Sequence, residues 1–244
     1  EEDCLPVVDK LFAKGVSSVL DYSVEGKEDE EQFNAAMDKI LKIIDFAQER
    51  KAIPFAVFKP TGFGRFELYV KIGERQPLTI AEQEEWDRVV ERYDKVCRIA
   101  KEKNVAILID AEESWMQDAA DDLVADMMRK YNTDKAIVYN TLQMYRHDRL
   151  AYLKKLHEQA TTDGFHIGMK VVRGAYMEKE NKRAEEKGYP TPICESKSAT
   201  DDNYNAAVDY MMQHLNEMAI FARTHNENSS YLLVQLMQHY HIAK

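Results

Sequence analysis

The chain has 244 residues, of which 45% are hydrophobic and 31% are charged. This length suits one large domain, and α/β barrels fill it as a single unit. The net charge of −10 argues against a general nucleic-acid surface, because phosphate binding depends on clustered Lys and Arg, and it disfavours contact with an anionic membrane. No run of 18 apolar residues and no signal-peptide pattern is present, so the chain is expected to be soluble.

The first half of the chain alternates short apolar runs with longer amphipathic segments. Residues 16–21 are predicted to form the first strand. Residues 31–50 are predicted to form a helix, since their apolar side chains recur at the i, i+4, i+7 spacing of a helix that lies on a sheet. Residues 53–59 form the second predicted strand, which Pro60 and two nearby glycines end. Residues 63–77 are predicted to be an irregular insertion.

A capping box begins the next predicted helix. Thr79 and Glu82 have the three-residue spacing in which each side chain bonds the backbone N–H of the other residue. This helix is predicted to end at about residue 103. The elements that follow it are strand 105–110, which is the clearest in the chain, helix 116–131, strand 136–141 and helix 150–159.

The stretch HIGMKVVRGAY, residues 166–176, contains the fifth predicted strand. Residues 167–172 are apolar or β-branched apart from Gly168 and Lys170, which favours a buried parallel strand that ends at a site. A lysine inside such a strand needs a partner. A regular strand would point Lys170 and Arg173 to opposite faces, whereas a bend at Gly174 would let both approach one anionic ligand. Two cations that snorkel from a strand end are the alternative interpretation.

The last third of the chain is predicted to supply one more strand between two helices. Residues 178–198 are polar and are predicted to form a loop. Thr200 is predicted to cap a helix that ends at about residue 214. Residues 218–224 form the sixth predicted strand, and a final helix is predicted from about residue 229.

Six alternating strand and helix units imply a parallel sheet, either doubly wound or closed as a barrel. The polar residues favour the barrel, because the carboxyl ends of barrel strands converge on one rim, where active sites are built. A closed barrel of this type needs eight strands, of which the chain shows six. The polar residues at these strand ends or just beyond them are Asp21, Glu25, Lys59, Asp110, Asn140, Lys170, Arg173, Thr224, His225 and Asn226.

Several other kinds of site lack support in the sequence. There is neither the glycine fingerprint of a dinucleotide fold nor a P-loop. The three cysteines are scattered, without the spacing of a zinc site, and are predicted to be ordinary thiols. His147 and His157 are predicted to be solvated surface residues rather than metal ligands.

Seven sequence blocks at the strand ends occur in a characteristic order. They are LDYSVEG (20–26), FKPTG (58–62), DAEES (110–114), NTLQMY (140–145), KVVRGAY (170–176), ATDDNYN (199–205) and THN (224–226). Together they resemble the proline dehydrogenase family, most closely its single-function, eukaryotic-like branch. The resemblance implies a (βα)8 TIM-like barrel with FAD that oxidises L-proline to Δ1-pyrroline-5-carboxylate and passes the electrons to a membrane quinone.

The resemblance also implies roles for individual residues on the substrate side. Lys59 would bind the proline carboxylate, and Tyr176 would pack against the substrate. Lys170 would be a cation beside flavin N5, where a positive charge favours the electron-rich reduced flavin. Asp110 and Glu25 would be carboxylates that orient these cations, although ordinary ion pairs at the barrel rim explain them equally well at this point.

A second group of residues would hold the cofactor. Asn140 matches a position, often a glutamine, that hydrogen-bonds the flavin ring. Glycine at position 174 would permit a close approach of the backbone. Besides Lys170 and Asn140, the residues assigned to FAD are Arg173, Gly174, Ala175, Lys197, Thr224, His225 and Asn226.

The resemblance carries further expectations about the whole protein. Family members continue into two more strands and a helix with an arginine pair and a glutamate, so residues 1–244 are expected to be one catalytic barrel domain that is incomplete at its C-terminus. Transfer of electrons to a quinone implies peripheral membrane contact. The expected location is the cytoplasm or inner membrane of a bacterium, or the mitochondrial matrix or inner membrane of a eukaryote. The sequence leaves the oligomeric state open.

Two other functions remain compatible with the residues. The first is a Schiff-base barrel enzyme of the aldolase type, in which Lys170 is the nucleophilic amine. The second is an inactive barrel that serves as an interaction module. Flavin absorbance would exclude the aldolase class, and trapping of a substrate on Lys170 by borohydride would support it.

Overall fold

The computed structural model describes residues 4–21 and 29–242. Within these ranges the chain forms six strands and nine α-helices. The strands are β1 (Leu20–Asp21), β2 (Phe55–Phe58), β3 (Ala106–Ile109), β4 (Val138–Gln143), β5 (Ile167–Val172) and β6 (Met218–Ala222). The helices are α1 (Leu5–Phe12), α2 (Glu30–Gln48), α3 (Phe66–Gly73), α4 (Ile80–Lys103), α5 (Ser114–Tyr131), α6 (Arg149–Asp163), α7 (Met177–Lys187), α8 (Lys197–Met212) and α9 (Glu227–His239).

All six strands are parallel, and their order in the sheet is their order in the chain. In a doubly wound sheet the order of the strands reverses at a switch point, and the order of these six strands has no such reversal. The sheet is also strongly curled. Phe55 on β2 and Phe221 on β6 pack with ring centroids 5.1 Å apart, although four strand spacings, about 19 Å in a flat sheet, separate their strands. The prediction of an α/β fold of the barrel type is therefore confirmed.

The two faces of the curled sheet carry different residues. The outer face packs against the helices through residues such as Ile107, Leu142 and Met169, which belong to the main core. The inner face has a smaller cluster of Val57, Leu108 and Tyr139, with Phe55 and Phe221 packed against it. Because side chains alternate along a strand, the residues two positions beyond this cluster point into the barrel at the carboxyl ends of the strands.

Two helices lie in segments that were predicted to be irregular. In segment 63–77, α3 buries Leu68 and Tyr69 against the core. In segment 178–198, α7 has only Glu180 and Ala184 buried, so its sequence lacks the apolar stripe by which a helix is normally recognised. Helix α3 is only eight residues long, too short for an apolar repeat to identify it, whereas α7 is held by tertiary contacts that leave no apolar repeat in its sequence.

Other boundaries differ by a few residues. The first strand comprises only Leu20–Asp21 rather than residues 16–21, and β4 extends two residues beyond its predicted end. The cap of α8 is Ser196, whose hydroxyl accepts a bond from Ala199 N at 3.0 Å, rather than Thr200, which is buried in the first turn. The capping box of α4 is present as predicted. Helix α1 was not predicted.

His157 is buried, so the prediction that it is a solvated surface residue is wrong. Its Nδ1 lies 2.7 Å from the hydroxyl of Tyr210, and its Nε2 lies 2.5 Å from a carboxylate oxygen of Glu217. These bonds join α6 to α8 and to the turn before β6. The other histidine in that prediction, His147, is exposed as expected.

Among residues 4–21 and 29–242, no helix is long and apolar enough to cross a bilayer.

Gly168 in β5 is a position where the barrel accepts no side chain. A Cβ atom there would lie 2.6 Å from the carbonyl oxygen of Val138 and 2.7 Å from the ring of Tyr139. The ring of Tyr139 lies over Gly168 and also packs against Phe55, with ring centroids 5.8 Å apart. The absence of a Cβ is therefore part of how the inner face is filled.

Gly168→Ala is expected to lower the free energy of unfolding by roughly 1 to 3 kcal/mol, because the added methyl group meets backbone atoms that cannot move away cheaply. Chemical denaturation measures the change. Gly73→Ala is the matched control, since a Cβ there meets only ordinary contacts at 3.6 Å or more at the end of a helix. Equal stability of the Gly168→Ala variant and the wild type would contradict the close packing of β4 against Gly168.

Candidate functional site

A cavity of about 680 Å³ opens at the carboxyl ends of the strands. Among the described residues that line it, five are Lys or Arg and one is acidic, although the whole chain carries a net charge of −10. A concentration of positive charge in a cleft attracts anionic ligands. The five cations are Lys59, Lys170, Arg173, Lys197 and Arg223, and the acid is Asp110.

Lys170 and Asp110 form an ion pair on the inner face of the barrel. The side chain of Lys170 is 7% exposed and that of Asp110 is 14% exposed. Thr141 stands beside Lys170 in the register of β4 and β5, and its hydroxyl donates to the carbonyl of Ile109 at 2.8 Å. The buried lysine thus has the partner that its position requires, and its ammonium group is held at the cavity wall.

Arg173 follows the end of β5 and is held by three groups from other elements. Its guanidinium donates to Asp201 at 2.6 Å, to Thr224 at 2.7 Å and to Ser229 at 2.9 Å. Lys197 also donates to Asp201 at 2.6 Å, and this bond, followed by those from Arg173, holds the pKa of Asp201 below its ordinary value. The C-terminal end of β5 is therefore tied to α8 and α9.

The segment after Arg173 passes very close to Tyr145. Gly174 has a φ of +137°, and a Cβ atom there would lie 2.4 Å from the ring of Tyr145. Ala175 is exposed, and Tyr176 precedes the first residue of α7. Glycine at position 174 lets the backbone run along the cavity wall in a conformation that other residues rarely adopt.

The structure does not bring Asn140 into the cavity. Asn140 points to the helix side of β4, where its amide donates to Asp121 at 2.8 Å and its Oδ1 accepts from the backbone N–H of Thr141 at 2.8 Å. Asp121 also accepts from the guanidinium of Arg149 at 2.7 Å. The assignment of Asn140 to the cofactor is therefore corrected: the residue belongs to a buried polar network behind the sheet.

Gln143 takes the place in the cavity that was expected for Asn140. It is 2% exposed and lines the cavity, and its Oε1 atom is buried without a hydrogen-bond partner. Gln143 is not among the residues predicted from the sequence, because the predicted fourth strand ends at residue 141. The alternation of side chains was the available signal, since Thr141 and Gln143 lie on the same face of a strand.

Most of the residues selected from the sequence do converge. Lys59, Asp110, Lys170, Arg173, Gly174, Ala175, Tyr176, Lys197, Thr224, His225 and Asn226 all line the cavity. Asn226 also caps α9, because its side chain accepts from Ser229 N at 3.0 Å. Glu25, the other carboxylate selected from the sequence, lies outside the described residues.

Glu112 is a further residue near the cavity that was not predicted from the sequence. Its carboxylate accepts from the backbone N–H of Thr61 at 2.9 Å and from the hydroxyl of Thr61 at 2.7 Å. These bonds join the end of β3 to the 3-10 turn Pro60–Gly62 that follows Lys59. Burial raises the pKa of Glu112 to about 7, against the lowering effect of the bonds to Thr61. The two consecutive glutamates after Asp110 were the only signal in the sequence.

The raised pKa of Glu112 predicts a pH dependence of stability. Folded protein binds more protons at this carboxyl group than unfolded protein between pH 4.5 and about 7, so the free energy of unfolding should fall as the pH rises through this window. The contribution of this group is roughly 3 kcal/mol at most. Denaturant unfolding of wild type and Glu112→Gln at several pH values measures it. Parallel pH profiles for the two proteins would contradict the raised pKa.

Comparison with known proteins identifies the family. A model described as proline dehydrogenase matches residues 4–244. The carbapenem antibiotics biosynthesis protein CarD of Pectobacterium carotovorum subsp. carotovorum is 41% identical over 224 residues, which are 92% of this chain and 58% of that protein. The mitochondrial proline dehydrogenase 1 of Homo sapiens is 32% identical over 173 residues, which are 68% of this chain and 29% of that protein. The chain thus spans 58% or less of the length of these two relatives.

A solved structure agrees with the fold. Proline utilization A (PutA) from Bdellovibrio bacteriovorus, inactivated by N-propargylglycine, matches with a TM-score of 0.83 over 100% of this chain and 26% of that chain. At 18% sequence identity, this likeness concerns the fold alone. Because the family model extends over residues 4–244, the chain belongs to the proline dehydrogenase family.

Proposed function

We propose that the protein oxidises L-proline to Δ1-pyrroline-5-carboxylate with FAD as the hydride acceptor. The observation that carries the proposal is the cationic cavity at the barrel rim of a chain that belongs to the proline dehydrogenase family. An amino-acid carboxylate and the pyrophosphate of a dinucleotide are both anions, and both need such an environment. Family membership supports proline as the substrate.

The residues of the cavity fit FAD. The unpartnered Oε1 of buried Gln143 is an acceptor that suits an N–H group of the flavin ring, and a buried acceptor without a partner is costly unless a ligand satisfies it. Glycine at position 174 lets the backbone follow the cavity wall, because a side chain there would meet the ring of Tyr145. Lys197, Thr224 and His225 supply the positive charge and donors that suit phosphate groups.

Binding of substrate is assigned to Lys59 and Tyr176. Lys59 would form a charge-assisted bond with the proline carboxylate, and the ring of Tyr176 would pack against the substrate. FAD, when bound, supplies the acceptor for the hydride that leaves the ring carbon next to the proline nitrogen. The protein contributes the orientation of the substrate and the exclusion of water from the cavity.

Lys170 would act as a fixed cation. Its ion pair with Asp110 holds the ammonium group in one place, so no reorganisation is needed when negative charge develops nearby. A positive charge at this position stabilises a reduced, electron-rich cofactor. Asp110 would thus act by orienting Lys170, and Arg173 by joining β5 to α8 and α9.

The electrons are proposed to pass to a membrane quinone through peripheral contact with the membrane. In this role the reaction begins proline catabolism, in the cytoplasm or at the inner membrane of a bacterium, or in the mitochondrion of a eukaryote. A second role, in a biosynthetic route, is favoured by one observation, the 41% identity to a relative that is named for carbapenem biosynthesis. Deletion of the gene would abolish growth on proline as the nitrogen source in the first role and leave it unchanged in the second.

Variants of Lys170 test the proposed chemistry. The purified protein should show flavin absorbance that proline bleaches without oxygen, and stopped-flow mixing measures the rate. Lys170→Arg keeps the charge and should retain substantial activity, whereas Lys170→Met should slow the bleaching, because the reduced cofactor loses a stabilising charge.

The same variants separate the alternatives. A Schiff-base enzyme would lose all turnover in Lys170→Arg, since guanidinium cannot attack a carbonyl, and borohydride would trap its substrate on Lys170. A protein with neither flavin nor trapped substrate would be an interaction module. An arginine variant that binds flavin yet is as slow as the methionine variant would contradict the electrostatic role of Lys170.

Lys59→Ala should weaken binding of proline more than binding of FAD. Loss of a charge-assisted bond is expected to cost roughly 1.5 to 3 kcal/mol, which is a rise of about ten to a hundred times in the KM for proline. Lys197→Ala is the matched comparison, because this cation lines the same cavity and should affect FAD instead. Equal KM values for wild type and Lys59→Ala would refute the assignment.

A further inference from the structure

Helix α7 buries almost no apolar side chain. Of its eleven residues, MEKENKRAEEK, only Glu180 and Ala184 are buried. A helix in a globular protein is usually held by an apolar stripe, which α7 lacks. Yet α7 begins directly after Tyr176, so its position determines where the cavity wall formed by residues 174–176 lies. Polar contacts must therefore hold this helix in place.

The buried polar contact of α7 is made by Glu180. This side chain is completely inaccessible to solvent, and its two oxygens accept from the backbone N–H of Ser114 at 2.7 Å and from the hydroxyl of Ser114 at 2.6 Å. Ser114 is the first residue of α5, whose N-terminal N–H groups have no partner within the helix. Glu113, which precedes it, makes no side-chain cap. Glu180 thus caps α5 from a different helix.

The position of this carboxylate is also favourable electrostatically. The N-terminus of a helix carries partial positive charge, which stabilises a nearby anion. A buried carboxylate that accepts two hydrogen bonds in this setting is well satisfied, and removal of its donors would be costly. The contact between α5 and α7 consequently has one strong, geometrically defined attachment point.

The other contacts between α7 and its neighbours are more exposed. Lys179 donates to Glu113 at 2.9 Å, but its side chain is 65% exposed. The guanidinium of Arg183 lies 4.6 Å from the ring centre of Trp115. Ion pairs at the surface contribute little to stability, typically 0 to about 1 kcal/mol. Among the described contacts of α7, the two bonds of Glu180 are therefore expected to dominate its docking.

Glu180 is connected to Tyr176 through the first turn of the helix. The backbone N–H of Glu180 donates to the carbonyl of Tyr176 at 2.9 Å. Tyr145 lies beside the same turn: its ring packs against Gly174, and its pKa is raised by burial and then by the negative charge of Glu180. A shift of Glu180 away from Ser114 would displace Tyr176 and open the wall of the cavity.

We propose that Glu180 is a positioning residue, which docks α7 on the first turn of α5 and thereby holds Tyr176 against the substrate in the cavity. The consequence for catalysis rests on the proposed function, because it assumes that Tyr176 packs against proline. The docking itself does not depend on that assumption. An effect transmitted through Tyr176 should appear mainly in the binding of substrate rather than in the chemical step.

The first measurement concerns docking alone. In a Trp86→Phe background, Trp115 is the single tryptophan of the chain, and it contacts α7 through Arg183. Glu180→Ala should make Trp115 several times more accessible to iodide quenching, and Ser114→Ala, which keeps the backbone donor, should have a smaller effect. Glu186→Gln is the matched control, since this carboxylate lies on the same helix and is 61% exposed. Unchanged quenching in Glu180→Ala would overturn the proposal.

The second measurement concerns the position of Tyr176. Glu180→Ala should raise the KM for proline about tenfold with little change in kcat, and Glu180→Gln, which keeps one acceptor oxygen, should recover part of the loss. In a Tyr176→Ala background, removal of Glu180 should cause no further rise in KM, because the two residues act as one unit. A rise of equal size in that background, or a loss confined to kcat, would overturn the proposal.

Failure of the proposed function would look different. A wild-type protein whose flavin is not bleached by proline would refute proline oxidation, whereas the quenching of Trp115 would still decide whether Glu180 docks α7. Thermal unfolding of each variant accompanies both measurements. Quenching and KM values are compared at a temperature where every variant is folded.

Discussion

The ion pair between Lys170 and Asp110 is the interaction on which the cavity depends. An ammonium group on the inner face of a barrel strand is tolerated only when an opposite charge and hydrogen bonds replace the lost water. The pair joins β5 to the end of β3 across β4, where Thr141 bonds the backbone of β3. Removal of one member of a buried pair typically costs about 3 to 5 kcal/mol, so the charge that Lys170 presents to the cavity also secures three strands.

Strand β4 has buried polar residues on both of its faces, and the residues on the two faces have different hydrogen-bond partners. Gln143 faces the cavity with an unpartnered oxygen, whereas Asn140 faces α5 and α6 with its amide bonded to Asp121. Behind the sheet, the amide of Asn140 and one amino group of the buried Arg149 guanidinium both donate to Asp121. A buried acceptor such as the Gln143 oxygen needs a hydrogen-bond partner, and inside the barrel a bound ligand can supply one.

The loops at the rim are held by the same hydrogen-bond arrangement at two places. Glu112 binds the backbone N–H and the hydroxyl of Thr61, and Glu180 binds the same two groups of Ser114. Loops that carry functional residues have little apolar surface to bury, so buried carboxylates with two donors each can fix them instead. Lys59 lies two residues before Thr61, and Tyr176 lies four residues before Glu180. The shape of the cavity therefore depends on groups that do not line it.

The sequence by itself determined the alternation of strands and helices, the capping box of α4, and the strand ends at which the charged residues meet. These features depend on local periodicity and on the direction of parallel strands, which are visible in a single chain. Only the tertiary structure decided that the sheet curls enough for Phe55 to meet Phe221, that Gln143 rather than Asn140 faces the cavity, and that α7 is a helix. The face on which a residue lies follows from the register of its strand in the sheet, and the docking of α7 depends on a bond between residues 66 positions apart. Both are relations between distant parts of the chain.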